Sequence, residues 1–281
     1  MYMEFLTCLL DTMDHRLFDI KLVFNHVCRY GTMNIATWIM GAFDQKLLDF
    51  QSAILEAAKN DNFELVTFLL KKKAFKKPNF DVNSIFLEAC HHSNVQLTNW
   101  LLDNFEYRTF SVSEGISRSC SIDGCEKFIM NLIDRCKHNL IDFNKVIQAA
   151  CRGTLSFTFI KRLMEFADTS KVDGTFVMHH TCNCFDSDWD FVKFMFTTYD
   201  YKIFDMKLIF NSVCRTGTPK IVKWLLDNYD RDVFDLKSGF NEACCKRKLD
   251  IVKLLIESVG TENFHLQSVM NSNFVFERLW M

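Results

Sequence analysis

Residues 18–40 (FDIKLVFNHVCRYGTMNIATWIM) and 204–226 (FDMKLIFNSVCRTGTPKIVKWLL) are identical at 13 of 23 positions although 186 residues separate them. A third copy, 234–256, follows directly. One slot marks the period: Asp19, Asp49, Asp81, Ser111, Asp142, Asp173, Asp205 and Asp235, at intervals of 30–32 residues. A unit this short cannot bury an apolar face alone, so neighbours must stack and stability becomes a sum of nearest-neighbour terms. The repeat therefore selects a solenoid.

Counted from the marker slot, the fifth residue on is always apolar: Phe24, Ile54, Phe86, Ile116, Ile147, Met178, Phe210 and Phe240. The eighth is small or β-branched, and apolar residues at the first position complete a stripe with helical spacing. An aspartate in front is a good N-cap, because its carboxylate accepts the free amides of the first turn. The preceding Phe18 or Phe204 is placed to staple onto Val23 or Ile209. A turn marked by Gly31, Gly124, Gly153 and Gly217 leads to a second amphipathic segment such as 35–40 or 221–226, and a polar connector then reaches the next marker. Extra turn residues near Asp123, Gly153 and Asn183 make the middle repeats the least regular.

The 12 cysteines do not read as a disulfide framework. Cys28, Cys90, Cys120, Cys151, Cys182, Cys214 and Cys244 share the ninth position, which Ala58 fills in the remaining repeat. A slot that accepts both Cys and Ala wants a small buried residue. Equivalent slots on stacked helices lie about 10 Å apart, beyond the roughly 7 Å that a disulfide tolerates. Reduced thiols in a reducing compartment follow, and the expected location is intracellular, the cytoplasm rather than the nucleus. Charges nearly cancel, 33 basic against 35 acidic, and only 2 Pro and 9 Gly occur, so neither a polyanionic partner nor long disorder is demanded. No apolar run is long enough to span a membrane.

Read as helix, turn, helix, the runs FNEACCKRKLDIVKLLIE (240–257), FNSVCRTGTPKIVKWLLD (210–227) and LEAAKNDNFELVTFLL (55–70) resemble the ankyrin repeat. The Leu, His, Ala-Ala and Gly of the family pattern fall on Phe24, Asn25, Val27-Cys28 and Gly31. Asn25, Asn211 and Asn241 would then bond backbone groups as the family's His does, and His179 keeps that residue. The Thr-Pro pair is missing throughout, the connector is about three residues shorter than the family norm, and the Gly-Ala-Asp of the hairpin finger is absent. The fold implied is all-α: an ankyrin-type solenoid of stacked antiparallel helix pairs whose β-hairpin fingers are short or absent. It would be a single array over residues 1–281, with full repeats starting near 18, 48, 80, 110, 141, 172, 204 and 234 and partial repeats at 1–17 and 264–281. Apolar Phe5, Cys8 and Leu9 at one end and Phe274, Phe276, Leu279 and Trp280 at the other look uncapped, so the ends are expected to pack on further repeats, another domain or another chain.

The resemblance implies a non-catalytic scaffold that recognises a protein or peptide through a concave face. Two slots would line it. One follows the Cys/Ala position and includes Arg29, Lys59, His91, Arg152 and Arg215, with Tyr30, Asn60 and His92 beside them. The other lies two residues after the marker and includes Lys21, Asn144, Lys207 and Lys237. Their basic bias would steer an acidic partner, although helix C-termini favour cations in any case. No cofactor, metal or membrane is expected, and a nucleic acid is not the expected partner.

Two other classes stay open. His179, His180, Cys182 and Cys184 place four nitrogen and sulfur ligands within six residues, which would suit zinc or a Cys–His enzyme. However, His179 and Cys182 already hold repeat slots. The basic slots together with Lys71-Lys72-Lys73 and Lys76-Lys77 would serve a nucleic acid, or the lysine run would be a solvated connector.

Overall fold

The computed structural model describes residues 8, 12, 19–73, 80–153, 155–183, 189–261 and 264, the side chains of 73, 169 and 183 excepted. Among the described residues it is all-helical, with sixteen α-helices and no strand. The chain divides into two compact units, Met1–Asp142 and Phe143–Met281.

In the first unit, four first helices, α1 (Ile20–Tyr30), α3 (Phe50–Lys59), α5 (Val82–His91) and α7 (Val112–Ser119), are each followed by a partner. The partners are α2 (Met33–Ala42), α4 (Phe63–Lys73), α6 (Val95–Asn104) and α8 (Glu126–Arg135). Each pair packs together, and α1, α3, α5 and α7 pack one on the next. The second unit repeats the plan. Its first helices are α9 (Phe143–Arg152), α11 (Gly174–Asn183), α13 (Met206–Thr216) and α15 (Leu236–Cys245). Their partners are α10 (Phe157–Phe166), α12 (Trp189–Thr198), α14 (Pro219–Asn228) and α16 (Leu249–Val259). The first helices again stack in succession.

Every first helix starts one residue after the marker slot. The carboxylates of Asp19, Asp49, Asp81, Asp173, Asp205 and Asp235 each accept the amide three residues on, at 2.9–3.2 Å. Ser111 stands at the same place without a side-chain bond of this kind. The fifth-position residues Phe24, Ile54, Phe86, Ile116, Ile147, Met178, Phe210 and Phe240 are all buried, as are Cys28, Ala58, Cys90, Cys120, Cys151, Cys182 and Cys214.

The phenylalanine before the cap also serves the preceding repeat. Its ring reaches across to the fifth-position ring of the preceding repeat: Phe110 lies 4.7 Å from Phe86, Phe234 4.6 Å from Phe210 and Phe264 4.3 Å from Phe240. Phe18 lies outside the described residues, and Phe204 packs on Phe196 and Tyr199. Two glycines make room for the same rings. A Cβ at Gly239 would stand 2.6 Å from Phe210 Cε1 and 3.1 Å from Cys214 Sγ; at Gly115 it would stand 2.8 Å from both Phe86 Cε1 and Cys90 Sγ.

Connectors wind into one-turn 3-10 helices, among them Gln45–Leu47, Tyr107–Thr109, His138–Leu140, Tyr201–Ile203 and Arg231–Val233. The turns within repeats take two forms. Gly31 and Gly217 are extended and bond back to the Val27 and Val213 carbonyls, whereas Asp61, Ser93 and Arg247 hold φ of 53°, 51° and 57° in the same slot. The terminal partial repeats expected at 1–17 and 264–281 lie outside the described residues, apart from exposed Cys8 and Thr12 and buried Phe264.

Two outcomes follow. Gly→Ala within a helix normally stabilises by about 0.5–1 kcal/mol, but Gly239→Ala should destabilise by about 1–3 kcal/mol because a buried ring edge cannot retreat. Phe210→Leu should recover part of the loss in the double variant, read by urea denaturation. Thiol labelling of the native protein gives the second outcome. Burial pushes Cys28 up to about 12 and Cys136 up to about 11, while Cys8 and Cys245 are exposed. Mass spectrometry should therefore find Cys8 and Cys245 labelled first, and Cys28, Cys90 and Cys214 only on unfolding. Labelling of Cys214 at the rate of Cys245 would contradict the buried slot.

Candidate functional site

The slot two residues after the cap is occupied with structure. Asn83 Oδ1 accepts the Ser111 amide at 2.8 Å, Ser113 Oγ that of Asp142 at 2.7 Å, Asn144 Oδ1 that of Asp173 at 2.9 Å and Thr175 Oγ1 that of Asp205 at 3.0 Å. Gln51 engages both backbone groups of Asp81, donating to its carbonyl at 2.9 Å and accepting its amide at 3.2 Å. These polar side chains hold the next repeat's cap residue by its backbone. Lys21 does the same work through charge, its Nζ lying 3.0 Å from Asp49 Oδ2. Burial would raise the Asp49 carboxyl, but bonds from Ser52 and Lys21 hold it below the ordinary carboxylate value. A depressed folded value stabilises above the unfolded one and is lost as pH falls through it, so this contribution is intact near neutrality. Of the candidates in this slot, Lys21 and Asn144 belong to the ladder. Lys207 and Lys237 are exposed and line one shallow cleft of about 410 Å3 with Arg231, Asp232 and Asp235.

The second row of candidates stands at the C-terminal ends of the first helices, and the two units treat it differently. In the first unit each of three carboxylates meets a basic side chain. Arg29 and Lys59 both reach Glu56, at 3.3 and 2.7 Å. His92 reaches Glu88 at 3.2 Å and packs its ring 5.1 Å from that of His91, and Arg118 reaches Glu114 at 3.1 Å. Tyr30 is 62% exposed, with the Arg29 guanidinium 5.0 Å over its ring and the His26 ring 4.9 Å away. Asn60 is exposed at the C-cap of α3.

In the second unit Arg152 lies 4.7 Å over the Phe176 ring, and Phe176 stacks on His180 at 6.1 Å. Burial, then the neighbouring Arg152 and His179, lower the pKa of His180, so the ring is neutral near pH 7. Arg215 Nε stands 4.0 Å from Glu242. The Lys248 ammonium donates to the Thr216 carbonyl at 3.2 Å and ties the last two turns together.

One expectation for a side chain is corrected. Asn211 does not bond a backbone group: its amide donates to Ser238 Oγ at 3.0 Å, and its oxygen, like that of Asn25, is buried with no partner. No three His, Cys, Asp or Glu side chains converge as a metal set among the described residues. Cys182 is buried in its slot, and Cys184 lies outside the described residues. Lys71 and Lys72 lie over the rings of Trp100 and Phe68, at 6.0 and 4.7 Å; residues 74–79 and the Lys73 side chain lie outside the described set.

Sequence reasoning missed Glu56, Glu88, Glu114, Glu242 and Phe176. The signal was present, because positions three and seven after the cap share a helix face with position ten. The class this geometry defines is an all-α protein of stacked helix pairs, with no described helix long and apolar enough to cross a membrane. No protein-family model matches the chain, and no curated protein matches it significantly.

The ladder can be weighed against the unused lysines. Asn83→Ala and Asn144→Ala should each cost about 0.5–1.5 kcal/mol, the net worth of an ordinary hydrogen bond. Lys207→Ala and Lys237→Ala should stay within about 0.5 kcal/mol. Urea midpoints compare the four directly.

Proposed function

We propose that this protein is an ankyrin-type repeat array that acts as a non-catalytic scaffold, recognising a protein or peptide through the face formed by its first helices. The observation that carries the reading is the division of labour along each first helix. Cap, ladder, ring and thiol positions are consumed by the neighbouring repeat, while within each unit the C-terminal positions of successive first helices are left at the surface. A row of side chains on a rigid stack is what repeat proteins use to bind extended partners. The chemistry of the thiols also supports it. Burial holds Cys28 at about 12 and Cys244 at about 11, the reverse of what a nucleophilic thiolate requires. One-turn connectors replace hairpin fingers, so contacts are assigned to helix ends rather than to finger tips.

The test is a footprint. A partner cross-linked in native extract is identified, purified and titrated against the chain. Hydrogen exchange of the complex should then show protection over 26–31, 56–61, 88–93, 149–153 and 212–217. Tyr30→Asp combined with Arg215→Glu should weaken binding by about tenfold, as truncation of aromatic and arginine anchors commonly does, with melting unchanged. Protection confined to the second helices would refute the assignment.

A further inference from the structure

We infer that the second unit carries a docking site for an arginine side chain on a basic segment of a protein partner, in the cleft between the connectors Tyr201–Ile203 and Arg231–Val233. The cleft has a volume of about 670 Å3, with Tyr201 and Tyr229 in its walls and Asp227, Asp230 and Asp232 at its rim. It is built from connectors and the C-terminal end of α14, none of which belongs to the first-helix face proposed above, and it goes beyond that reading.

The aromatic walls are the first argument. Tyr201 and Tyr229 stand on consecutive connectors, and their rings approach to 5.1 Å at an angle of 56°. Tyr229 is also held by Phe196 at 5.5 Å and Trp224 at 5.8 Å. Its ring is therefore positioned before any ligand arrives, which spares the entropy of ordering it on binding. Both tyrosines are half-buried, and among the described residues no basic side chain lies over either ring. An aromatic face attracts a cation through its quadrupole.

Charge is the second. Carboxylates that other repeats use internally, or replace by a cation, are left over at this rim. Asp227 stands two residues before the C-cap of α14, as Asp103 does before that of α6. Arg135 of the next repeat answers Asp103, but Val259 fills that slot in the repeat after Asp227. Asp230 opens its 3-10 turn without a side-chain bond, whereas Asp44, Asp168 and Asp200 each accept an amide of their own turn at 3.0–3.1 Å. The middle residue of that turn is Lys46, Arg108 or Lys202 in three other connectors and Asp232 here. Among the described residues none of the three carboxylates forms an ion pair, although Arg231 lines the same cleft. The end of α14 adds the negative pole of a helix. Charge complementarity selects a cationic occupant.

An arginine meets both features at once. A guanidinium stacks on aromatic faces and forks onto carboxylates, while an ammonium is a compact and more strongly hydrated charge. The chain already makes this arrangement within itself: Arg29 lies 5.0 Å over the Tyr30 ring and reaches Glu56 at 3.3 Å. The cleft of the second unit offers tyrosine faces and carboxylates with no arginine of the chain between them. Its volume falls within the range of about 300–1,000 Å3 that holds a drug-sized ligand, so residues flanking the arginine enter with it. A nucleic acid is disfavoured, because its phosphates would face the three carboxylates.

A fluorescent peptide with arginine at every third position among glycine and serine is titrated against the full chain by anisotropy, beside its lysine and citrulline counterparts. The arginine peptide should bind saturably, the lysine peptide about threefold or more weaker, and the citrulline peptide not at all. Asp227→Asn/Asp230→Asn/Asp232→Asn should weaken binding by about tenfold or more, and Tyr201→Ala by a smaller factor. Circular dichroism melting verifies that each variant folds, and hydrogen exchange of the unsubstituted complex should show protection over 199–203 and 227–233. Asp103→Asn/Glu106→Gln/Asp134→Asn removes as much charge from the corresponding slots of the first unit and should change affinity by less than about threefold. An equal loss in that control would overturn the location. Lysine binding as tight as arginine would overturn the choice of side chain, and displacement of the peptide by millimolar calcium would overturn the ligand class. Absence of arginine-peptide binding would sink the inference and leave the first-helix footprint untouched, just as failure of that footprint would leave this cleft standing.

Discussion

The fit of one aromatic ring against the next first helix sets the register of these stacks. Phe210 and Phe86 are fully buried, and each is covered from the following repeat by a second ring, Phe234 or Phe110. Each also sits where a side chain at Gly239 or Gly115 would collide with it. A ring that needs an empty position one repeat later cannot be satisfied by a helix rotated by one residue. The contact therefore specifies which face of each first helix is turned to its neighbour. The hydrophobic effect supplies the driving force, and the shape of the contact supplies the register.

Polar groups complete what the rings begin. Asp81, Asp173 and Asp205 each use the carboxylate to close their own helix and give the amide to the repeat before, through Gln51, Asn144 and Thr175, and Ser111 and Asp142 give theirs to Asn83 and Ser113. One residue thus terminates a connector, starts a helix and joins two repeats. Sparing the backbone amide from an unpaired state matters more than the modest gain of any one bond. That explains why the slot accepts Gln, Asn, Ser and Thr alike: all present an acceptor, and only their reach differs. Lys21 reaches the Asp49 carboxylate instead of its amide, an electrostatic solution to the same geometric task.

The helix starts, the buried stripe and the thiol slot were legible in the sequence because each follows from a period within one repeat. What the sequence hid lies between repeats. Nothing in the polarity of Asn144 distinguishes a side chain that greets a partner from one that holds Asp173, and only the neighbour's position decides it. The reach of the ring before the cap into the preceding repeat was hidden for the same reason, although the glycines gave a usable signal. Gly115 and Gly239 follow repeats with Phe and Cys at the fifth and ninth positions, while Ile85 follows Ile54 and Ala58. Large residues in one repeat are answered by small ones in the next. Periodicity within a unit cannot show this compensation, but a comparison of adjacent units does.

Once the interlocking positions are accounted for, few first-helix positions remain to vary without disturbing the stack, chiefly three, seven, ten and eleven residues after the cap. They carry Leu22, His26, Arg29 and Tyr30 in one repeat, Phe176 and His180 in another, and Leu208 and Arg215 in a third, although the seventh position of that third repeat, Ser212, is buried. Variation there changes charge and apolarity at the surface while caps, rings and ladder remain the same. Glu56 and Glu242 show how little is needed. A glutamate at the seventh position either answers an arginine closely, as with Arg29 at 3.3 Å, or stands at 4.0 Å as with Arg215, and ion pairs this exposed add little to stability. The weight of these residues therefore falls on electrostatics at the surface, where a stack whose register is fixed by buried rings and backbone bonds can display different charge patterns at no cost to its fold.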